Sequence, residues 1–265
     1  MTKIARLRLE DGLIRHACLR DESTFELIEG NLFGNWHTTG VTVPAAKVKL
    51  LAPVDPPNII AIGLNYRGHA QESKMALPER PIIFIKATSA LCNPGEPIVL
   101  PKVAPDEVDY ECELAIVIGK HARNVSHEAA LDYVLGYACA NDVSARDCQT
   151  RLDKQWARAK SFDTFAPLGP WIETEMDPDK ARLCTRLNGK TMQDSNTSDL
   201  IFSCRELISF ISHSMTLLPG TVIMTGTPSG VGFARKPPVF LRPGDVVEIE
   251  VEGIGVLRNP VVAEG

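Results

Sequence analysis

The sequence predicts a β-rich α+β fold: one large region preceded by a small β-rich N-terminal extension. Three observations carry this reading. Short apolar bursts of strand length outnumber segments with helical spacing. The connections between them are short, whereas a doubly wound sheet needs a helix after nearly every strand. The 265 residues, 44% hydrophobic and 23% charged, suffice for one large core with a small extension.

The elements follow in order. KIARLRL, an Asp11-Gly12 turn and LIRHACL read as a β-hairpin, and TFELIEG adds a strand. In LLAPVDPPN, Pro53, Pro56 and Pro57 break regular structure and set a boundary near residue 55, dividing 1–55 from 56–265. NIIAIGL (58–64) and PIIFIKA (81–87) read as buried strands. Between them NYRGHAQESKMA lacks β-branched residues, which fits a short helix or a mobile loop. Ser126 is expected to cap a helix running to about Leu135, with Glu128 in its first turn. Ser203 and Glu206 form a capping box ahead of LISFISHSM, where Leu207, Ile208, Phe210, Ile211 and Met215 recur at helical spacing. TVIMTG (221–226) reads as a strand, and DVVEIEVEG with IGVLRNPVV as a terminal hairpin across Gly253.

Several function classes drop out. The net charge of −5, without a basic block or acidic tail, gives no support to nucleic-acid or membrane-surface binding. No apolar run reaches membrane-span length, and MTKIARLRLEDG has no h-region, so a cytoplasmic location is expected. Seven cysteines, an odd count without a C-x-x-C, predict reduced buried thiols rather than disulfides or a thiolate zinc site. No G-x-G-x-x-G follows a strand and no Walker sequence occurs, so a nucleotide site is not expected.

VDYECELAIVIG (108–119) carries most of the chemistry. Alternate strand residues share a face, so Asp109, Glu111 and Glu113 are expected to point one way. LAIVI, with no polar face, then predicts burial on both sides. A carboxylate entering such a strand must protonate or find a counter-charge. A divalent cation answers both the burial and the repulsion, and oxygen-only ligation suits Mg²⁺, Mn²⁺ or Ca²⁺. The alternative is a solvated strand end with acidic decoration. Asp142, closing the apolar run YVLGYACAN, is the candidate third ligand; its alternative is a turn aspartate.

Other constellations are weaker taken singly. His69 and Glu72 lie three apart, so on a helix the carboxylate can orient the imidazole, and the pair can deprotonate water; the alternative is an ordinary surface pair. The preceding Gly and Asn suggest a hinge for a lid. Asp142, Arg146 and Gln149 are spaced to share one helical face, where they can bind a substrate carboxylate or simply form a solvent-exposed helix start. Lys86 ends a strand and Lys160 lies in RAKSFD; either can steady an oxyanion or snorkel to solvent. TGTPSGVG (225–232) is a tight turn in which Thr227 and backbone amides can hold an anion, or simply a hairpin loop.

Taken together in this order, IGLNYRGHAQE, PIIFIKATSA, DYECELAIVIG, NDVSARD, AKSFD and TGTPSGVG resemble the fumarylacetoacetate hydrolase family from about residue 56 to the C-terminus. The resemblance implies a catalytic domain of rolled or sandwiched mixed β-sheets and a homodimer. It implies Mg²⁺ or Mn²⁺, with Ca²⁺ as a substitute in crystals, held by Glu111, Glu113 and Asp142. It places the family's dyad on His69 and Glu72, its pocket lysine on Lys160, and substrate contacts on Arg146, Gln149, Thr227 and Lys86. Asp109 is not a usual ligand of the family and is expected behind the ligands or facing solvent. The larger eukaryotic members add a fourth carboxylate from an earlier segment. No matching acid precedes His69, so the chain looks like the smaller bacterial type.

The implied activity is hydrolysis of a C–C bond in small 2-oxo or 1,3-dioxo acids, of acylpyruvate or fumarylpyruvate type, through an enolate held at the metal. The alternatives on the same site are a 2-hydroxymuconate-type isomerase or decarboxylase and an oxaloacetate decarboxylase. The alternative of another class is a non-catalytic ligand-binding protein on this scaffold.

Overall fold

The acid-bearing run Cys112–Ile118 forms a strand in the middle of a twelve-stranded mixed sheet. The structure is a computed structural model describing residues 2–265. Every residue of this strand is buried, as expected of a run without a polar face. On one side it pairs antiparallel with Val134–Asn141, which leads to Ala166–Glu173. On the other it pairs antiparallel with Val222–Met224. Ile59–Gly63 follows in parallel, and Ile82–Lys86 closes that edge antiparallel. A five-stranded sheet packs on the centre of the first, in the order 190–196, 182–187, 246–251, 255–263 and 98–100. The main apolar core lies between the two sheets.

The N-terminal hairpin forms as expected, with Lys3–Arg8 paired to Ile14–Asp21 and then Thr24–Gly30. Trp36–Pro44 adds a strand the sequence reading lacked. These strands extend the large sheet, because Ile4 pairs with Ile172 across Lys3–Arg8 and Ala166–Glu173. The capping box at Ser203 and Glu206 is present and opens the helix Cys204–Ser214. The terminal hairpin joins Val246–Val251 to Gly255–Ala263. All seven cysteines are free and buried. Among the described residues, no helix is long and apolar enough to cross a membrane.

Three local expectations are corrected. The helix from Ser126 to Leu135 is only a 3₁₀ turn over Ala130–Tyr133, and Leu135 belongs to the strand that follows. Strand pairing wins there: a Cβ at Gly136 would lie 2.4 Å from the Glu173 carbonyl, so glycine admits the neighbouring strand. PIIFIKA is not a buried strand but an edge, with Ile82 and Ile85 39% and 45% exposed. Asp142 to Gln149 is not one helix: Ser144–Ala145 pairs with Val108–Asp109, and a π-helical turn begins at Cys148.

Candidate active site

The three acids do not sit on one continuous strand. Val108–Asp109 pairs with Ser144–Ala145, the chain breaks at Tyr110 and Glu111, and pairing resumes at Cys112. Glu111 N–H donates to the Asn141 side chain at the break (2.9 Å). This places Glu111 and Glu113 beside Asp142, which follows the neighbouring strand. The three buried carboxylates offer oxygens within 4.8 Å of one another.

Cations surround them. Lys160 Nζ lies 2.7 Å from Glu111 and 2.6 Å from Asp142; Lys86 Nζ lies 2.5 Å from the other Asp142 oxygen. Arg146 reaches Glu111 (2.7 Å) and donates to Asp109 (2.9 Å) and Gln149 (2.7 Å). Burial raises the Glu111 carboxyl, but Lys160 and Arg146 outweigh it and hold it well below the usual carboxylate range. Glu113 goes the other way. Burial, then repulsion from Asp142 and Glu111, pushes it well up despite the Gly226 N–H at 2.8 Å. Burial lowers the Lys86 ammonium against the pull of Asp142, whereas Asp142 and Glu111 overcome burial at Lys160 and raise it.

Asp109 is buried, not solvent-facing. It accepts from Arg146, from its neighbour Tyr110 N–H, and from Gly232 and Phe233 N–H at 2.8 and 3.1 Å. It therefore holds Arg146 against Glu111 and fixes the loop after TGTPSG.

The donor set fits a hard divalent ion. Three carboxylates without thiolate or imidazole suit Mg²⁺ or Mn²⁺, and the raised Glu113 marks negative charge not fully balanced by protein cations. With Asp109 included, four buried carboxylates face three buried cations, one negative charge in excess. A divalent ion makes the cluster positive by one, which suits an anionic ligand.

These groups open onto a cavity of about 310 Å³. Its polar end carries Glu111, Glu113, Asp142, Lys160, Arg146, Gln149 and Thr227. Thr227 Oγ accepts from the buried Gln193 amide (2.8 Å), which leaves its own proton for a ligand. His69 also lines the cavity, from the helix Arg67–Glu72, with its ring edge-on to Phe233. Its Nδ1 lies 3.4 Å from Glu72, whose carboxylate accepts from Gly230 N–H (3.0 Å). Burial would raise Glu72, but His69 and Gly230 outweigh it and hold it below its usual range. Glu72 and Lys86 do not line the cavity; one backs His69 and the other backs Asp142.

The hinge read at Asn65 is a clamp instead. Asn65 is buried and donates to the Phe202 and Thr225 carbonyls (3.1 and 2.7 Å) while accepting from Phe202 N–H (2.9 Å). Gly226 makes room for it: at φ 105°, a Cβ there would lie 2.7 Å from Asn65 Cβ. Gln193 and Asp199, which accepts the Gly68 N–H (2.9 Å), are further supports that sequence reasoning missed. Their local sequences carry little signal, because apart from Thr185 across the hairpin from Gln193 the side-chain partners are remote. Asn141 had one signal, its place beside Asp142.

The family model for the fumarylacetoacetate hydrolase C-terminal region matches residues 58–262, and a Rv2993c-like N-terminal model matches 2–53. The chain belongs to the fumarylacetoacetate hydrolase family. A protein of Archaeoglobus fulgidus is 52% identical over 91% of both chains. The mitochondrial oxaloacetate tautomerase Fahd2a of Rattus norvegicus is 46% identical over 83% of this chain and 71% of its own. The crystal structure of a 5-carboxymethyl-2-hydroxymuconate delta-isomerase from Mycobacterium smegmatis superposes with a TM-score of 0.89. It is 44% identical, covering 99% of this chain and all of that one.

Proposed function

We propose that the chain is a divalent-metal-dependent isomerase of small 2-oxo acids, moving a proton between C3 and the C2 oxygen. The observation that carries this is the His69 imidazole opening onto the same cavity as Lys160 and the carboxylate triad. Relatives named for oxaloacetate tautomerisation and muconate isomerisation support the same reaction class.

Glu111, Glu113 and Asp142 would hold the ion, which supplies Lewis acidity and charge for an oxyanion. Glu72 faces Nδ1 of His69, so that nitrogen carries the proton and Nε2 is the base. Nε2 takes the proton from C3. The C–H pair becomes the C2–C3 double bond, and the carbonyl pair moves onto the C2 oxygen. Lys160 spends two of its three N–H groups on Glu111 and Asp142, leaving one for that oxygen. Return of the proton to oxygen gives the enol; the reverse sequence ketonises it. Thr227 donates to the substrate carboxylate. Arg146 is committed to Asp109, Glu111 and Gln149, so it shapes the site's charge more than it binds substrate.

Hydrolysis of a 1,3-dioxo acid is the second reading, favoured by the His69–Glu72 pair, which also suits water activation. Glu72 sits behind His69 rather than at the cavity, which favours proton transfer by the imidazole. Ketonisation of enol-oxaloacetate and loss of acetylpyruvate, followed spectroscopically with Mg²⁺ or Mn²⁺ and with EDTA, separate the two. Accelerated ketonisation that EDTA abolishes is the expected result. Pyruvate and acetate as the only products would replace it with hydrolysis.

A further inference from the structure

The far end of the cavity is unlike the head. Phe84 marks the change: Lys160 Nζ lies 5.3 Å from its ring centroid, and Trp156 meets it edge-to-face at 5.4 Å and 80°. Trp156 and Ile82 meet beside Gly63, and Met75 and Ile62 also line the cavity. The indole sits in a notch, because a Cβ at Gly63 would lie 2.6 Å from Trp156 Cζ3. Next to that notch Leu64, also lining the cavity, holds a φ of 44°, a left-handed conformation that is strained for a leucine. The wall is thus shaped by a glycine and by retained backbone strain.

Among the described residues, no lysine or arginine lines this end. The lining cations are Lys160 and Arg146, both at the head and both paired with carboxylates. A second substrate carboxylate would be desolvated there without a partner, which is unfavourable. An apolar or aromatic tail gains contact area and ring–ring packing against Phe84 and Trp156. The volume, about 310 Å³, falls in the range of about 300–1,000 Å³ that holds a ligand larger than a minimal oxo acid.

We propose that Trp156, Phe84, Ile82 and Met75 form a tail subsite that selects 2-oxo acids carrying an uncharged apolar or aromatic group beyond C3, in preference to dicarboxylates. This rests on the reading of the head as a 2-oxo-acid site. Aroylpyruvates are the probe class, because their enol reports turnover by absorbance.

The experiment compares kcat/KM for benzoylpyruvate and oxaloacetate in the Mg²⁺-loaded full chain, with binding read by tryptophan fluorescence. Wild type is expected to favour benzoylpyruvate. Trp156→Ala should lower the benzoylpyruvate-to-oxaloacetate ratio about tenfold, the scale of one lost aromatic contact with its buried area. Trp156 precedes the short helix bearing Lys160, so a second variant guards against local unfolding. Ile82→Arg, on the exposed edge strand, puts a cation into the tail wall and should move the ratio toward oxaloacetate. A wild-type preference for oxaloacetate, or ratios unchanged in both variants, overturns the subsite. If neither compound turns over, tighter fluorescence-detected binding of benzoylpyruvate keeps the subsite and sinks the catalytic reading instead. Equal or absent binding sinks the subsite.

Discussion

Glu113 shows how one residue couples stability to metal. Its carboxyl is pushed up by burial and by Asp142 and Glu111, so the folded protein holds this proton more tightly than the unfolded chain does. For an acid of that kind, stability is complete below the unfolded pKa of about 4.3 and is lost as pH rises, by about 1.4 kcal/mol per unit until the folded pKa is passed. Glu113→Gln removes the penalty. Without metal its melting temperature should exceed that of wild type, by about 2–4 °C per kcal/mol in a chain of this size, and the gap should widen from pH 5 upward. With Mg²⁺ or Mn²⁺ the order reverses. Wild type gains about 2.7 kcal/mol at a hundredfold excess over Kd, and the variant gains little. Differential scanning fluorimetry with and without metal reads both effects. A metal-dependent rise equal in the two proteins would remove Glu113 from the ligand set.

Elements hold the site through contacts distant in sequence, and this sets what could be read from the chain. Alternation in KIARLRL and TFELIEG, the S-x-x-E box at Ser203 and the unbroken LAIVI run are local signals, and each became the element it predicts. The acids at 111, 113 and 142 were also legible, because a charged run entering a buried strand needs an explanation. What could not be read is what completes each group from afar. The Asp142–Lys86 pair spans 56 residues, and the Asn65 clamp reaches Phe202 and Thr225 across 137 and 160. A glycine and an asparagine before a helix look like a hinge until those partners are known. The clamp yields its own prediction. Asn65→Ala leaves the half-buried Phe202 and the buried Thr225 backbone groups unpaired and should cost about 2–4 kcal/mol. It also loosens the entry to Arg67–Glu72, so kcat should fall more than the stability loss implies at a temperature where the variant is folded. Hydrogen exchange at residues 66–73 is the direct measure; unchanged protection would mean that Asp199 and Glu72 hold the helix without Asn65.

At the scale of the whole molecule, the question is whether the first fifty residues are a separate folding unit. Two family models meet between residues 53 and 58, beside the prolines that break the chain. Physical continuity argues otherwise. Lys3 and Ile4 pair with Glu173 and Ile172, extending the sheet that carries the acids. Lys3 Nζ donates to Ile254 O (2.9 Å), Ala52 N–H to the Asn93 side chain (2.7 Å), and Lys49 pairs with Glu96. The segment's separate core is small: Ala5, Leu7, Ala17 and Phe25 form it, with Trp171 from the larger region packed against them, whereas Ile4, Cys18, Ile28, Leu32, Ala52 and Val54 are buried in the main core. A chain of about fifty residues with so little buried apolar surface is marginal alone. Heating should therefore give one cooperative transition, with calorimetric and van't Hoff enthalpies equal, rather than a small early step. Substituting Ile172, the junction's buried apolar residue, by alanine should lower that single transition without splitting it, since both sides lose the same contact. Differential scanning calorimetry of the full chain decides the matter. Two resolved transitions, the smaller one alone shifted by Ile172→Ala, would mean that the N-terminal strands fold independently and merely dock on the sheet.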